Sequence, residues 1–266
     1  MTAAISALFR HPIKGFTPEK VQLAKLSVGM AFPGDRLFAL EDGPSGFDPV
    51  NPGFIPKQRF AVLAKIAEVA RARTRFDDAT GLLQAEAEGQ QPYVGDLSQP
   101  EGRAAFAAWM TGLLGGAAGQ NSLMGPLRLI DGGGHRFLDH PLGHVSIINL
   151  ASVRALGERL GKSLDPLRFR ANLYVEGWPA WVENEWTGRR IDVGEVEAEV
   201  FQPIVRCAAP GVDPATGVRD LDIPAELFRL YGNLHCGIYI QVKKGGVVRE
   251  GDPVSVPADQ AGQGSR

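Results

Sequence analysis

Thirty-three glycines and nineteen prolines are spread through the 266 residues, and they leave only short runs in which regular structure can form. Proline removes a backbone donor and fixes φ, and glycine weakens strand and helix interiors, so this spacing favours many short elements joined by tight turns. The runs between the breakers read as strands: ISALFRHPI, RLFALED, LRLID, ANLYVEG, AEVFQPIV and GIYIQV. They are rich in β-branched and aromatic residues, which suit a pleated, half-buried surface. The expectation is a mostly β fold of barrel type with a few helices.

Three segments depart from that texture. The first opens at Ser98 with Glu101 three residues on, the spacing of a capping box. It sets Phe106, Trp109, Met110, Leu113 and Leu114 on one helical face before Gly115-Gly116. The second starts near Asn149, carries Leu150, Val153, Leu156 and Leu160, and ends at Gly161. A short third begins at Pro224 and presents Leu227, Phe228 and Tyr231. Between the first and second lies the glycine-rich stretch GGAAGQNSLMG, 115–125, the natural boundary. Dividing the chain there gives domains of 1–122 and 123–257, with 258–266 as a loose tail.

The 44% hydrophobic content is ample for one large or two small cores. A net charge of −2 argues against a nucleic-acid partner, which a basic surface would have to hold. The apolar runs stop well short of the roughly 18 residues that a membrane span needs. The opening MTAAISALFRHPIKGF lacks the basic start and long apolar middle of a signal peptide. A soluble, cytoplasmic protein without a membrane partner is expected.

Motifs for several common chemistries are missing. No GxGxxG stands between a strand and a helix, and neither a P-loop nor a GxSxG elbow occurs. His11, His135, His140, His144 and His235 show no CxxC or HExxH spacing. What remains is FQPIVRCAAPGVDPATG, 201–217, where a β-branched run ends in Arg206-Cys207 and breaks at once into a turn-rich loop. A free cysteine is most often a small buried hydrophobe, and Cys236 in LHCGIYIQV fits that description. Cys207 has a second reading, because the adjacent arginine favours the thiolate and the loop exposes the position.

Five stretches in order resemble one family. RFRANLYVEG at 168–177, RCAAPGVDPATG at 206–217 and CGIYIQVKKGGVVREGDPVSV at 236–256 resemble the MOSC domain, named after the C-terminal part of molybdenum cofactor sulfurases. FRHPIKGF at 9–16 and GDRLFAL at 34–40 resemble the β-barrel domain that precedes it in the amidoxime-reducing branch. The resemblance implies a MOSC N-terminal β-barrel followed by a MOSC β-barrel, with a molybdenum–pterin cofactor (molybdopterin) whose metal takes Cys207 as thiolate ligand. It places cofactor contacts on Lys14, Arg36, Arg59, Arg170, Asn172, Arg206 and Tyr239, and it expects Lys14, Arg36, Arg170 and Arg206 to meet around one phosphate.

The activity so implied is reduction of N-hydroxylated or other N-oxygenated small molecules. The electrons would come from a separate electron-transfer protein, since this chain has no ferredoxin-like cysteine set. A sulfur carrier or sulfurtransferase with a persulfide on Cys207, and a non-catalytic cofactor-binding module, are the alternatives. The chain departs from the family at Gly15 and Val205, where serines are common, and at Pro210 and Gly211, where threonines are. Those lost hydroxyls imply a more apolar rim.

Overall fold

The computed structural model describes residues 2–115 and 123–257. The boundary near residue 122 and the tail at 258–266 lie outside the described residues. The first part of the chain forms β1 (Thr2–Arg10), β2 (Glu19–Val21), β3 (Leu23–Leu26), β4 (Phe38–Asp42), β5 (Arg73–Phe76), β6 (Leu82–Glu86), β7 (Tyr93–Asp96) and helix α1 (Pro100–Leu114). The second part forms β8 (Leu127–Asp131), β9 (Val145–Asn149), α2 (Leu150–Leu160), β10 (Leu173–Glu176), β11 (Arg190–Val193) and β12 (Val196–Val205). Helix α3 (Ile223–Tyr231) and strands β13 (His235–Lys244), β14 (Gly246–Arg249) and β15 (Pro253–Ser255) complete it. The fold is mostly β.

Seven strands close into a barrel in the order β10, β9, β13, β12, β11, β15, β1, with β1 returning to β10. The alternation along β12 shows why: Val196, Ala198 and Val200 point into the core while Glu197 and Glu199 face outward. Ile5, Val145, Ile147, Leu173, Val175, Ile238 and Ile240 fill the same interior. Only the β9–β10 pair in this barrel is parallel, and α2 provides its crossover.

Around the barrel's flank, β5, β6 and β7 form an antiparallel meander and β4 pairs with β8. With α1 they enclose a second core of Ile13, Phe16, Phe38, Leu40, Phe106, Met110 and Leu114. The two cores interleave in sequence: β1, from the start of the chain, is a barrel stave, and β8 pairs back onto β4. Val212, just after Cys207, is buried in the second core.

The helices differ from expectation in detail. Helix α1 is capped by Gln99 without a side-chain bond, because Pro100 takes the first helical position and leaves Ser98 one residue too early. Ser98 instead donates its backbone N–H to Asp96 at 2.8 Å. Helix α2 starts at Asn149, whose side chain accepts from Ala151 N, and stops at Gly161 with φ 66°. Helix α3 begins one residue before Pro224, capped by Asp222, and Phe228 points outward, 65% exposed.

Candidate functional site

Where β12 ends, a cleft opens between the barrel and the loops that precede β4 and follow β8. Its lining includes Arg36 and Lys57 from the first half and Asp139, Arg170, Arg206, Cys207 and Tyr239 from the second. Val205, which is exposed, and the buried Pro210 also line it.

Two of the arginines sit in left-handed backbone. Among the described residues, three non-glycine residues have positive φ, and they include Arg36 at 52° and Arg170 at 54°. Each such residue costs roughly 1–2 kcal/mol, and such strain persists only where the surroundings enforce it. Arg36 is enforced by its N–H donating to His11 O at 2.7 Å and by its carbonyl accepting from Phe137 N at 3.1 Å. Its guanidinium pairs with the fully buried Asp35 and reaches Arg170 O at 3.4 Å. Arg170 closes the 3₁₀ turn Pro166–Phe169, which Asp165 caps by accepting from Leu167 N.

Arg170 carries the clearest electrostatic anomaly. Its Nη2 is buried with no hydrogen-bond partner. Burial, and then the charge of Arg36, pull its pKa down to about 10. Two guanidiniums held together with one donor unsatisfied form an arrangement that an anion would complete.

Behind Arg36 lies a buried pair. His11 donates its N–H to Asp35 Oδ1 at 2.7 Å, and its Nδ1 lies 3.2 Å from the same oxygen. Burial, then Arg170, hold the imidazole well below its ordinary value, at about 3. Burial alone would raise Asp35, but Arg36 and then His11 more than offset it, so the carboxylate stays ionised.

The remaining expected residues divide. Arg206 is buried and commits its guanidinium to backbone, with Nε donating to Cys236 O at 2.7 Å and Nη1 to Phe169 O at 2.8 Å. It therefore ties β13 to the turn that presents Arg170. Lys14 does not line the cleft: its ammonium donates to Phe137 O at 2.8 Å, Leu138 O at 3.1 Å and Asp139 Oδ1 at 2.5 Å. Asn172 is buried in the seam, where its Oδ1 accepts from Ser146 N and Oγ and its Nδ2 donates to Phe9 O. Arg59 is exposed, and Lys57, two residues earlier on the same 3₁₀ turn, faces the cleft in its place. Of the four cations expected around one anion, Arg36, Arg170 and Arg206 share the cleft, and Lys14 stands one layer behind.

Cys207 is half-buried in the cleft, whereas Cys236 is fully buried, its thiol pushed up to about 12 by burial. Tyr239 keeps its proton, since burial and then Asp139 raise it to about 12. Among the described residues no cluster of three or more His, Cys, Asp or Glu could hold an ion by itself. A metal in the cleft would take one protein thiol and find its other donors elsewhere.

The segment after Cys207 is strapped down. Asp213 accepts from Ala215 N at 2.8 Å and Thr216 N at 3.0 Å, which is what the Asp-Pro-Ala-Thr-Gly run provides. Arg168 grips the strap with a fork to Asp220 at 2.8 and 3.1 Å and a further bond to Asp213 at 2.9 Å. Arg219 crosses to the first half and donates to Leu63 O at 2.6 Å. Lys57, Asp139 and Arg168 were not marked by the sequence reading. The only linear hint of Arg168 was its place two residues before Arg170, and its acidic partners are more than forty residues away.

Two of the four departures from the family pattern, Gly15 and Gly211, have local causes. Gly15 sits at φ 89°, and a Cβ there would come 3.1 Å from Val62 Cγ1. A Cβ on Gly211 would come 2.2 Å from Leu221 O, so the turn Ala209–Gly211 has no room for a threonine there.

Comparison with known proteins gives two family matches that together cover most of the chain. The MOSC domain matches residues 135–255 and the MOSC N-terminal beta barrel domain matches residues 2–120. A mouse protein named mitochondrial amidoxime-reducing component 1 is 30% identical over 120 residues, 41% of this chain and 35% of that protein. A molybdenum cofactor sulfurase of Caenorhabditis briggsae is 33% identical over 99 residues, 36% of this chain and 14% of that protein. The matched stretch thus spans about a third or less of these relatives. Among solved structures, the YUAD protein from Bacillus subtilis aligns over 96% of this chain and 94% of its own, with a TM-score of 0.43 and 15% identity.

Proposed function

Because this chain belongs to the MOSC-domain family, with the family's N-terminal barrel domain ahead of the MOSC domain, we propose that it binds a molybdenum–pterin cofactor and acts as a reductase. Its substrates would be N-hydroxylated or other N-oxygenated small molecules, and its electrons would come from a separate redox protein. One observation carries the reading: the half-buried thiol of Cys207 shares a cleft with Arg170, whose buried Nη2 lacks an acceptor.

The donor set fits such a group. A soft thiolate suits a metal that already has sulfur ligands, and guanidiniums with Lys57 lining the same cleft suit a phosphate. The bound cofactor would supply two-electron redox chemistry that the side chains lack. Cys207 would give its thiolate, and Arg36, Arg170 and Lys57 would hold the anion. Arg206 would keep the Arg170 turn and β13 in register. Tyr239, protonated at neutral pH, can offer its O–H to a substrate or cofactor oxygen. Val205, exposed beside the cleft, gives it an apolar edge suited to substrates with an apolar flank.

The test is metal analysis of protein made in a host that synthesises the cofactor. Near-stoichiometric molybdenum and pterin, and amidoxime reduction with a chemical electron donor, are expected. Protein without molybdenum but with a persulfide on Cys207 would instead favour sulfur transfer, the reading to which the match with a cofactor sulfurase lends weight.

A further inference from the structure

Arg168 lines the cleft with Arg170 and Cys207 but commits its guanidinium to the protein itself. Its side chain is only 4% exposed. Nη1 donates to Asp220 Oδ1 at 2.8 Å and to Pro210 O at 3.4 Å, while Nη2 donates to Asp220 Oδ2 at 3.1 Å and to Asp213 Oδ2 at 2.9 Å. Pro210, Asp213 and Asp220 all belong to the segment that starts immediately after Cys207.

Arg206 makes the matching tie on the other side of the thiol. Its Nη1 donates to Phe169 O at 2.8 Å, so the residue just before Cys207 holds the turn Pro166–Phe169 that presents Arg170. Arg168 belongs to that same turn and holds the chain just after Cys207. The thiol is thus flanked, upstream and downstream, by contacts to the one turn whose next residue is Arg170. Stability alone does not account for Arg168. Burying a guanidinium costs desolvation that its ion pairs return only in part, and its Nε is buried with no hydrogen-bond partner among the described residues. What the fork to Asp220 does supply is direction, since paired N–H bonds to one carboxylate fix angle as well as distance.

We infer that Arg168 is a positioning residue: it fixes the thiol of Cys207 relative to the guanidinium of Arg170, and so sets the span between the soft-metal end and the anionic end of the ligand that the cleft accepts. This rests on the reading of the cleft given above and adds to it the side chain that keeps its two ends in register. Groups that orient a ligand-binding residue from behind matter because a small displacement of that residue weakens binding steeply.

Arg168→Lys keeps the charge and loses the fork. Asp220→Asn loosens the fork from its other end and, at a site already 34% exposed, serves should the lysine variant fold poorly. Two quantities are read on the folded, full-length protein made without the cofactor: the rate at which iodoacetamide alkylates Cys207, followed by peptide mass spectrometry, and the affinity for inorganic phosphate by calorimetry. The lysine variant keeps its charge, so a change in its alkylation rate reports the position and access of the thiol. Alkylation should be faster by about fivefold or more as the strap loosens, and phosphate should bind about tenfold more weakly, the worth of one charge-assisted hydrogen bond, as the Arg170 turn loses one of its ties. Folded variants in which both quantities are unchanged, or in which one moves without the other, make Arg168 a tie that serves the fold alone; they overturn the inference and leave the reading of the cleft standing. Unaltered protein that binds no phosphate overturns the anion site, and with it the span assigned to Arg168.

Discussion

Arg36 and Arg170, brought from opposite halves of the chain, meet in the cleft with the same left-handed backbone, at φ 52° and 54°. The side chain of Arg36 reaches the carbonyl of Arg170 at 3.4 Å. Strain and like charge are concentrated at one point, and the rest of the fold holds them there.

Arg170→Met should therefore stabilise the ligand-free protein, by about 1 kcal/mol, because it removes a buried donor without an acceptor and a repulsion from Arg36. The same change should abolish phosphate and cofactor binding. Thermal denaturation beside calorimetric titration checks both halves, and a less stable variant would contradict the reading of Arg170 as a residue held for a ligand.

The two cysteines should behave differently. Cys207→Ser should fold normally, since the site is half-exposed, but lose molybdenum, because a neutral hydroxyl is a poor substitute for a soft thiolate. Cys236→Ser should lose about 1–2 kcal/mol, as its hydroxyl would enter an apolar cluster with Ile148, Leu156 and Phe169. It should retain metal in whatever fraction stays folded. Metal content per folded molecule, by elemental analysis after size-exclusion chromatography, separates the two.

Acid should destabilise the protein through His11, against an opposite contribution from Glu19 and Glu183, whose carboxyls burial raises. His11 holds a folded pKa of about 3 against an ordinary 6.5. Above pH 6.5 its contribution is complete, and as pH falls from there toward 3 the unfolded chain takes up a proton that the folded state refuses. Stability should fall across that window with a slope of up to about 1.4 kcal/mol per pH unit. His135 and His144, also lowered by burial, add to it with the same sign. Asp35 and Asp139, held below their ordinary 3.8, add their losses at lower pH still. Urea denaturation from pH 7 to 4 should show a shallower slope in His11→Asn.

Gly15→Ser, which restores the family's common residue, should destabilise this protein by about 1–2 kcal/mol. The φ of 89° strains any side chain, and Val62 must also give way. An unchanged midpoint in thermal denaturation would show that the backbone around Gly15 can relax.

What the chain settles by itself is local and periodic. Breaker spacing announced a mostly β fold, Asn149 and Gly161 marked both ends of α2, and Cys207 stood out as the thiol at a strand's end. Short-range rules suffice there, because caps, turns and alternation depend on neighbours a few residues apart. They also mislead where a neighbour overrides them, as Pro100 displaced the cap expected at Ser98. Part of the cleft's lining, Arg36, Arg170, Arg206, Cys207 and Tyr239, was legible as residue types, but the part each plays depends on contacts between distant segments. Lys14 and Asp139 are 125 residues apart, and Arg168 meets Asp220 across 52. Nothing in PIKGF or PKQRF says that Lys14 will be shut behind an aspartate, or that Lys57 rather than Arg59 will face the cleft. Those outcomes follow from the closing of β1 against β10 and the packing of Val212 into the far core, which fix the orientation of each side chain only once the whole chain has folded.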